Sequence, residues 1–241
     1  MTTVDLPVPA RALAVGAHPD DIEFGCGATL AKWAAAGCEI HHLVCTDGSK
    51  GSWDPAEDQA ALVARRQTEQ RAASRALGGS GDVVFLGWPD GELEAGLRQR
   101  FQIAAWIRRL RPDVVLGHDP WKRYRLHPDH RAAGLLVTDG IVAARDPLFF
   151  PELGTAPHRP ATLLLFEADE LDHFEDASTS FATKLAALLE HTSQLRSTMA
   201  IGPDARADEA AFRLRLTDEA RDTGSVAGLE LAEGFKRLDS L

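Results

Sequence analysis

The sequence predicts an α/β fold: a mostly parallel sheet with helices on both faces and a less regular C-terminal third. Two observations carry this. Short apolar runs that suit buried strands alternate with alanine-rich or helix-periodic runs along the N-terminal two-thirds. Gly37, Gly78-Gly79 and Pro112 then close three of the helical runs. Strands that alternate with helices need crossover connections, and right-handed crossovers stack the helices on both sides of the sheet.

The elements follow in order. Arg11–Ala17 (RALAVGA) reads as a first strand, and Gly27–Ala36 as a helix that stops at Gly37. Glu39–Thr46 (EIHHLVCT) reads as a second strand, followed by a long polar and alanine-rich helix over Asp54–Leu77. Val83–Leu86 is a third strand. Gly96–Arg111 repeats Leu97, Phe101, Ala104, Ala105, Ile107 and Leu110 near the helical period. After Pro112, Val114–Leu116 makes a fourth strand and Asp129–Ala144 a further helix. In the last third, Thr162–Phe166 reads as a strand, and Thr179–Glu190 and Ala207–Arg221 as helices. Pro147–Pro160 reads as a loop, the acidic run from Glu167 to Asp176 as solvated, and the end as polar.

The chain of 241 residues is long enough for one large α/β domain, and 44% hydrophobic residues supply its core. A net charge of -10 and a pI of about 5.3 argue against a nucleic-acid partner, which selects a basic face. Cys26, Cys38 and Cys45 are odd in number and lack CxxC spacing, so they read as small buried hydrophobes. Met1–Ala10 has no apolar core like a signal peptide's, and no run approaches the roughly 18 apolar residues of a membrane helix. The expectation is a cytoplasmic protein without a membrane or nucleic-acid partner. No GxGxxG or GxxxxGK[ST] loop supports a nucleotide-binding reading.

In open α/β sheets, the loops leaving the C-terminal strand ends build the site. Three such places are marked: after Ala17, after Thr46 and after Leu116. The first carries His18-Pro19-Asp20-Asp21. Zinc takes imidazole nitrogen and carboxylate oxygen at about 2.0–2.2 Å, and one tight loop can offer both. Two adjacent aspartates aimed into one cleft need a cation or a shared proton; one can ligate while the other acts on water. The same Pro-Asp-Asp is also ordinary turn chemistry. The last place leads to His127-Pro128-Asp129-His130 at a helix start, where one histidine can ligate and the other face the reacting centre. Alone it also reads as a helix cap with incidental histidines. Both motifs on one sheet edge favour a metal. Two imidazoles and a carboxylate with an open fourth position make a catalytic arrangement, since structural zinc wants four closed ligands.

These motifs, with their neighbours, resemble the PIG-L/LmbE-like family of zinc-dependent N-deacetylases. The matching segments are AHPDDIEFGCGATLA (17–31), CTDGSKG (45–51), RRQTEQRAASRALG (65–78), FLGWPDGEL (85–93), RPDVVLGHD (111–119) and HPDHRAAG (127–134). A weaker echo lies at KLAALLEHTSQLR (184–196). The resemblance implies a Rossmann-like single domain over residues 1–241. It implies that His18, Asp21 and His130 ligate zinc, with iron(II) as the alternative because imidazole and carboxylate suit both. It implies that Asp20 is the general base and that His127, if protonated, polarises or donates a proton. The family motif often has an acid directly after its second aspartate; here that position is Ile22, followed by Glu23.

Substrate contacts are expected from Arg66, Asp90 and Asp129, with Asp129 also suited to orient a histidine and Asp47-Gly48 a weaker candidate. His118 and Asp119 are expected to line the cleft, and His41, His42 and His191 to pack. Trp53, Trp88 and Trp121 either line a sugar site or cover a core edge. The expected reaction removes an acetyl group from an N-acetylglucosamine-like conjugate, in a chain that can self-associate into a homo-oligomer. The alternatives are an amidase for a larger amide or natural-product conjugate, and a non-catalytic metal- or sugar-binding protein.

Overall fold

The computed structural model describes residues 2–202 and 204–241. Its centre is one eight-stranded sheet. The strands are β1 (Thr3–Val4), β2 (Arg11–Gly16), β3 (Glu39–Thr46), β4 (Val83–Trp88), β5 (Val114–His118), β6 (Thr162–Phe166), β7 (His173–Asp176) and β8 (Ala232–Asp239). Their order is β1-β7-β8-β6-β5-β2-β3-β4. All neighbouring pairs are parallel except those made by β8, which runs antiparallel between β6 and β7. The helices are α1 (Asp21–Ala35), α2 (Gln59–Ala76), α3 (Leu97–Leu110), α4 (Pro128–Arg145), α5 (Phe181–Leu189) and α6 (Ala205–Ala227).

Strand alternation sorts the core into two layers. Leu13, Val15, Leu43 and Val115 pack under α3 and α4 with Ile103, Ile107, Leu136 and Val137. Ala12, Ala14, Ile40, Val44 and Leu116 face the other way, against Leu30 and Trp33 of α1. Fully burying one such leucine or isoleucine contributes about 1.5–3 kcal/mol, so the two layers fix the register of the central strands. From β2 the chain continues outward to β3 and β4, while β5 and β6 lie on the other side of β2. The order therefore reverses between β2 and β5, and a crevice opens beyond their C-terminal ends.

Three features differ from the sequence expectation. The first helix starts at Asp21 rather than Gly27, with a break at Cys26, where φ is -150°. Past the break, the Glu233 carboxylate of β8 accepts from the Ala28 and Thr29 amides at 3.0 and 2.7 Å, and Lys184 Nζ meets it at 2.6 Å. A carboxylate from the far end of the chain thus caps the second half of α1. Next, the long helix begins only after Asp58, whose side chain accepts from the amides of Ala60 and Ala61. Last, the acidic run is not all solvated. His173–Asp176 is strand β7, and Glu175 is fully buried against His173 at 2.9 Å and Lys32 at 2.6 Å. The polar end is likewise strand β8. Charged residues are stable there because β6 and β7 satisfy its backbone on both sides.

Among the described residues, no helix is long and apolar enough to cross a membrane.

Candidate metal centre

The loop leaving β2 turns sharply at Asp20, which has φ 99° and precedes the first residue of α1. A side chain in this left-handed region costs about 1–2 kcal/mol, so the surroundings must hold it. They do so with backbone contacts. The Asp20 amide donates to Gln70 Oε1 at 3.0 Å, and Arg66 Nη2 donates to the Pro19 carbonyl at 2.6 Å. Arg66 Nη1 also reaches the Gly48 carbonyl at 2.9 Å, binding the loop after β2 to the loop after β3.

Asp21 is the meeting point of the cluster. Its Oδ2 accepts the His18 amide at 2.7 Å and lies 3.3 Å from His18 Nδ1 and 3.2 Å from His118 Nε2. Its Oδ1 lies 3.3 Å from His130 Nε2. His18 Nε2 points the other way, to Asp129 at 3.1 Å and Asp90 at 3.3 Å. His127 caps α4: its Nδ1 accepts the Asp129 amide at 3.3 Å, which leaves the ring proton of the neutral imidazole on Nε2. The His127 ring stacks on His130 at 4.8 Å and meets His18 edge-on at 4.6 Å. Three overlapping sets of donor atoms are close enough to hold one ion: His18–His127–His130, Asp21–His118–His130 and His18–Asp90–Asp129.

The electrostatics ask for a cation. Burial opposes a charge on His18, yet Asp129, Asp21 and Asp90 overcome it and push its pKa up to about 12. Burial opposes the Asp21 charge as well, but His130 and His118 hold that carboxyl well below its usual range. Asp90 and Asp129 are also lowered against burial, chiefly by His18. Protonated imidazole is thus what balances the carboxylates when only protein is present. A divalent ion does the same while leaving imidazole neutral, and neutral imidazole with carboxylate is a proper donor set for it. Asp20 is different: burial and the neighbouring Asp21 outweigh Arg66 and raise it to about 6.

These details agree with a family model. Residues 13–141 match PIG-L, GlcNAc-PI de-N-acetylase. The chain belongs to this family. A diacetylchitobiose deacetylase of Thermococcus kodakarensis is 33% identical over 187 residues, covering 76% of this chain and 70% of that protein. A 1D-myo-inositol 2-acetamido-2-deoxy-alpha-D-glucopyranoside deacetylase of Streptomyces avermitilis is 34% identical over 176 residues, 63% of this chain and 59% of its own length. Among solved structures, the N,N'-diacetylchitobiose deacetylase of Pyrococcus horikoshii superposes with a TM-score of 0.86 at 27% identity, over 96% of this chain and 84% of that one.

Of the residues expected at the substrate, Arg66, Asp90 and Asp129 are 3%, 6% and 0% exposed. Asp129 departs most from that expectation. Its oxygens are taken by the Gly91 amide at 2.6 Å, the Leu93 amide at 3.1 Å and His18, so it sits behind the histidine. Asp90 receives the Lys50 amide at 3.0 Å. Asp47 ties the same loops together through the Ser49 and Asp90 amides. Trp88 is held by Gln102 at 2.8 Å and covers a core edge, while Trp53 and Trp121 stand exposed.

His42 and His191 are fully buried, as expected of packing residues, but His191 does more than fill space. Its Nε2 lies 3.2 Å from Glu23, which accepts from Gln70 at 2.6 Å, and Gln70 holds Asp20. Sequence reasoning missed Gln70, Arg125 and Glu167 and undervalued His118. Glu167 directly follows β6, so the strand-end rule applied to a fourth strand finds it. Gln70 lies four residues after Arg66, on the same face of α2.

Proposed function

We propose that this chain is a zinc-dependent N-deacetylase that hydrolyses the acetamide of an N-acetylglucosamine-like conjugate, with its 241 residues working as one catalytic domain. In this reading His18, Asp21 and His130 hold the metal. Asp129 supports that role for His18: it accepts from Nε2 and leaves the Nδ1 lone pair on the Asp21 side. When bound, zinc polarises the amide carbonyl and acidifies a water molecule.

The chain's own residues carry the proton and the charge. Asp20 takes a proton as the water oxygen bonds to the carbonyl carbon, and returns it to nitrogen as the C–N bond breaks. The products are acetate and the free amine. Its raised pKa suits a group that must both accept and release a proton near neutrality. His127 donates from Nε2 to the developing oxyanion. Its pKa is lowered by burial and by His18 and His130, so it acts as a neutral donor and needs no prior protonation. Arg66 keeps the Asp20 loop in place. Exposed Trp53 and Trp121 offer apolar faces of the kind that sugars pack against.

The observation that carries this reading is that Asp21 lies between His18, at its Oδ2, and His130, at its Oδ1, with Asp20 next in the chain held apart in a strained turn. Relatives named as deacetylases of diacetylchitobiose and of a 2-acetamido-2-deoxy-glucopyranoside of inositol support the substrate class. The test is amine release from N-acetylglucosamine, N,N'-diacetylchitobiose and an N-acetylglucosaminyl inositol by the zinc-loaded protein. Release from at least one sustains the assignment. Zinc bound without release from any of them defeats the substrate class.

A further inference from the structure

Beyond the three proposed ligands, Asp21 has a second oxygen to account for. A monodentate carboxylate ligand has one oxygen on the metal and one that must be held, or the group rotates. Asp21 Oδ1 lies 3.3 Å from His130 Nε2, while Oδ2 lies 3.3 Å from His18 Nδ1, 3.2 Å from His118 Nε2 and 2.7 Å from the His18 amide nitrogen. His118 is 1% exposed and ends β5. Its other nitrogen, Nδ1, lies 3.1 Å from Glu167 Oε2. Arg125 also contacts Glu167 Oε2 and lies 3.2 Å from His130 Nδ1. Glu167 follows β6 with φ 56°, another left-handed non-glycine. The His118 ring stacks on His130 at 4.4 Å, 19° from parallel, and meets Phe166 edge-on at 4.6 Å.

We infer that His118, fixed by Glu167 and Arg125, is the positioning residue that locks Asp21 in its metal-binding orientation. The inference rests on the proposed metal site and adds residues that site does not include. Two features single out His118. Nε2 faces Asp21 and Nδ1 faces Glu167, so the ring cannot turn without losing its contacts on both sides. Its contact is to the Asp21 oxygen that also accepts the His18 amide at 2.7 Å, and its other nitrogen is engaged by Glu167, as an orienting group requires. Partners of this kind typically set metal affinity by about 10–100-fold. The arrangement also ties the loops after β5 and β6 to the loop after β2, on both sides of the crevice.

The test is the zinc dissociation constant, measured by competition with a chromogenic chelator, for wild type, His118→Ala, His118→Gln and Glu167→Ala. The Gln amide nitrogen can stand where Nε2 stands and donate to Asp21. The expected result is a loss of about 10–100-fold for His118→Ala, with recovery of at least part of it in His118→Gln. Glu167→Ala, a change at a partly exposed loop residue, is expected to show a smaller loss in the same direction. Melting of the metal-free variants serves as the folding check. If wild type binds zinc and both His118→Ala and Glu167→Ala bind it within about threefold of wild type, the positioning role is overturned and the three-ligand site stands. If wild type binds no zinc, the site and this inference fall together.

Discussion

The loops leaving β2 and β6 are both acidic, yet they balance their charge in different ways. After β6, Glu167, Asp172 and Glu175 each have a permanent cation, Arg125, Lys236 and Lys32, besides the contacts of Glu167 with His118 and Glu175 with His173. Guanidinium and ammonium partners keep their protons across the physiological range, so these contacts are structural. After β2, Asp21 meets His18, His118 and His130, and the nearby Asp90 and Asp129 meet His18. Imidazole can be a cation or, having lost its proton, a metal ligand. Under the proposed assignment, the acids of the first loop exchange imidazole protons for a metal, while those of the second keep a permanent cation as partner. Asp20 belongs to neither group: it faces Arg66 at 3.5 Å and is held in place through its backbone.

The sharpest break in this comparison is Asp20→Asn. It keeps the size of the side chain and removes the proposed base. Turnover is expected to fall about 10²–10⁴-fold with the zinc content unchanged, as read from steady-state kinetics and elemental analysis of the same sample. Normal turnover means that another group takes the proton. The counterpart on the permanently paired side is Glu233→Ala, which leaves Lys184 and the Ala28 and Thr29 amides without their partner. A buried pair broken from one side costs about 3–5 kcal/mol, to be read from denaturant unfolding. The kcat of the folded fraction is expected to change far less than in Asp20→Asn.

A pH profile sharpens the role of Asp20. Burial and Asp21 raise its pKa to about 6 in the metal-free protein, and a dication nearby favours the carboxylate and pulls it down. A general base works ionised, so the proposed role predicts that kcat/KM falls as pH drops through this value. The acid limb is expected at or below about pH 6, and a limb well above that contradicts the assignment. The smallest effect is expected at an exposed pair on α6. Arg221 and Asp218 are 55% and 53% exposed, and Arg221→Ala is expected to move stability by no more than about 0.5 kcal/mol.

What the sequence disclosed follows from how local each feature is. His18 to Asp21 and His127 to His130 are short loops at strand ends, and strand ends can be read from apolar runs. The order of β2 to β6 and their helices was legible for the same reason. His118, Arg125 and Glu167 were harder, because their roles come from contacts between loops 42 and 49 residues apart. The start of α1 was hidden by Gly25 and Gly27, and the cap past its break comes from Glu233. A Cβ at Gly25 would lie 2.5 Å from the Phe166 ring, so that glycine marks close packing rather than a helix end. Strands β7 and β8 escaped because charged residues there pair with one another, which alternation of apolar residues cannot reveal.

The central claim is that His18, Asp21 and His130 hold a metal that hydrolysis needs. The most direct measurement is the zinc content of wild type and His130→Ala, with amine release from N,N'-diacetylchitobiose assayed on the same samples. The account predicts about one zinc per wild-type chain, loss of zinc in the variant, and amine release that tracks the metal. A wild-type protein that releases amine at full rate after its metal is stripped, or a His130→Ala variant that keeps both zinc and activity, would contradict it.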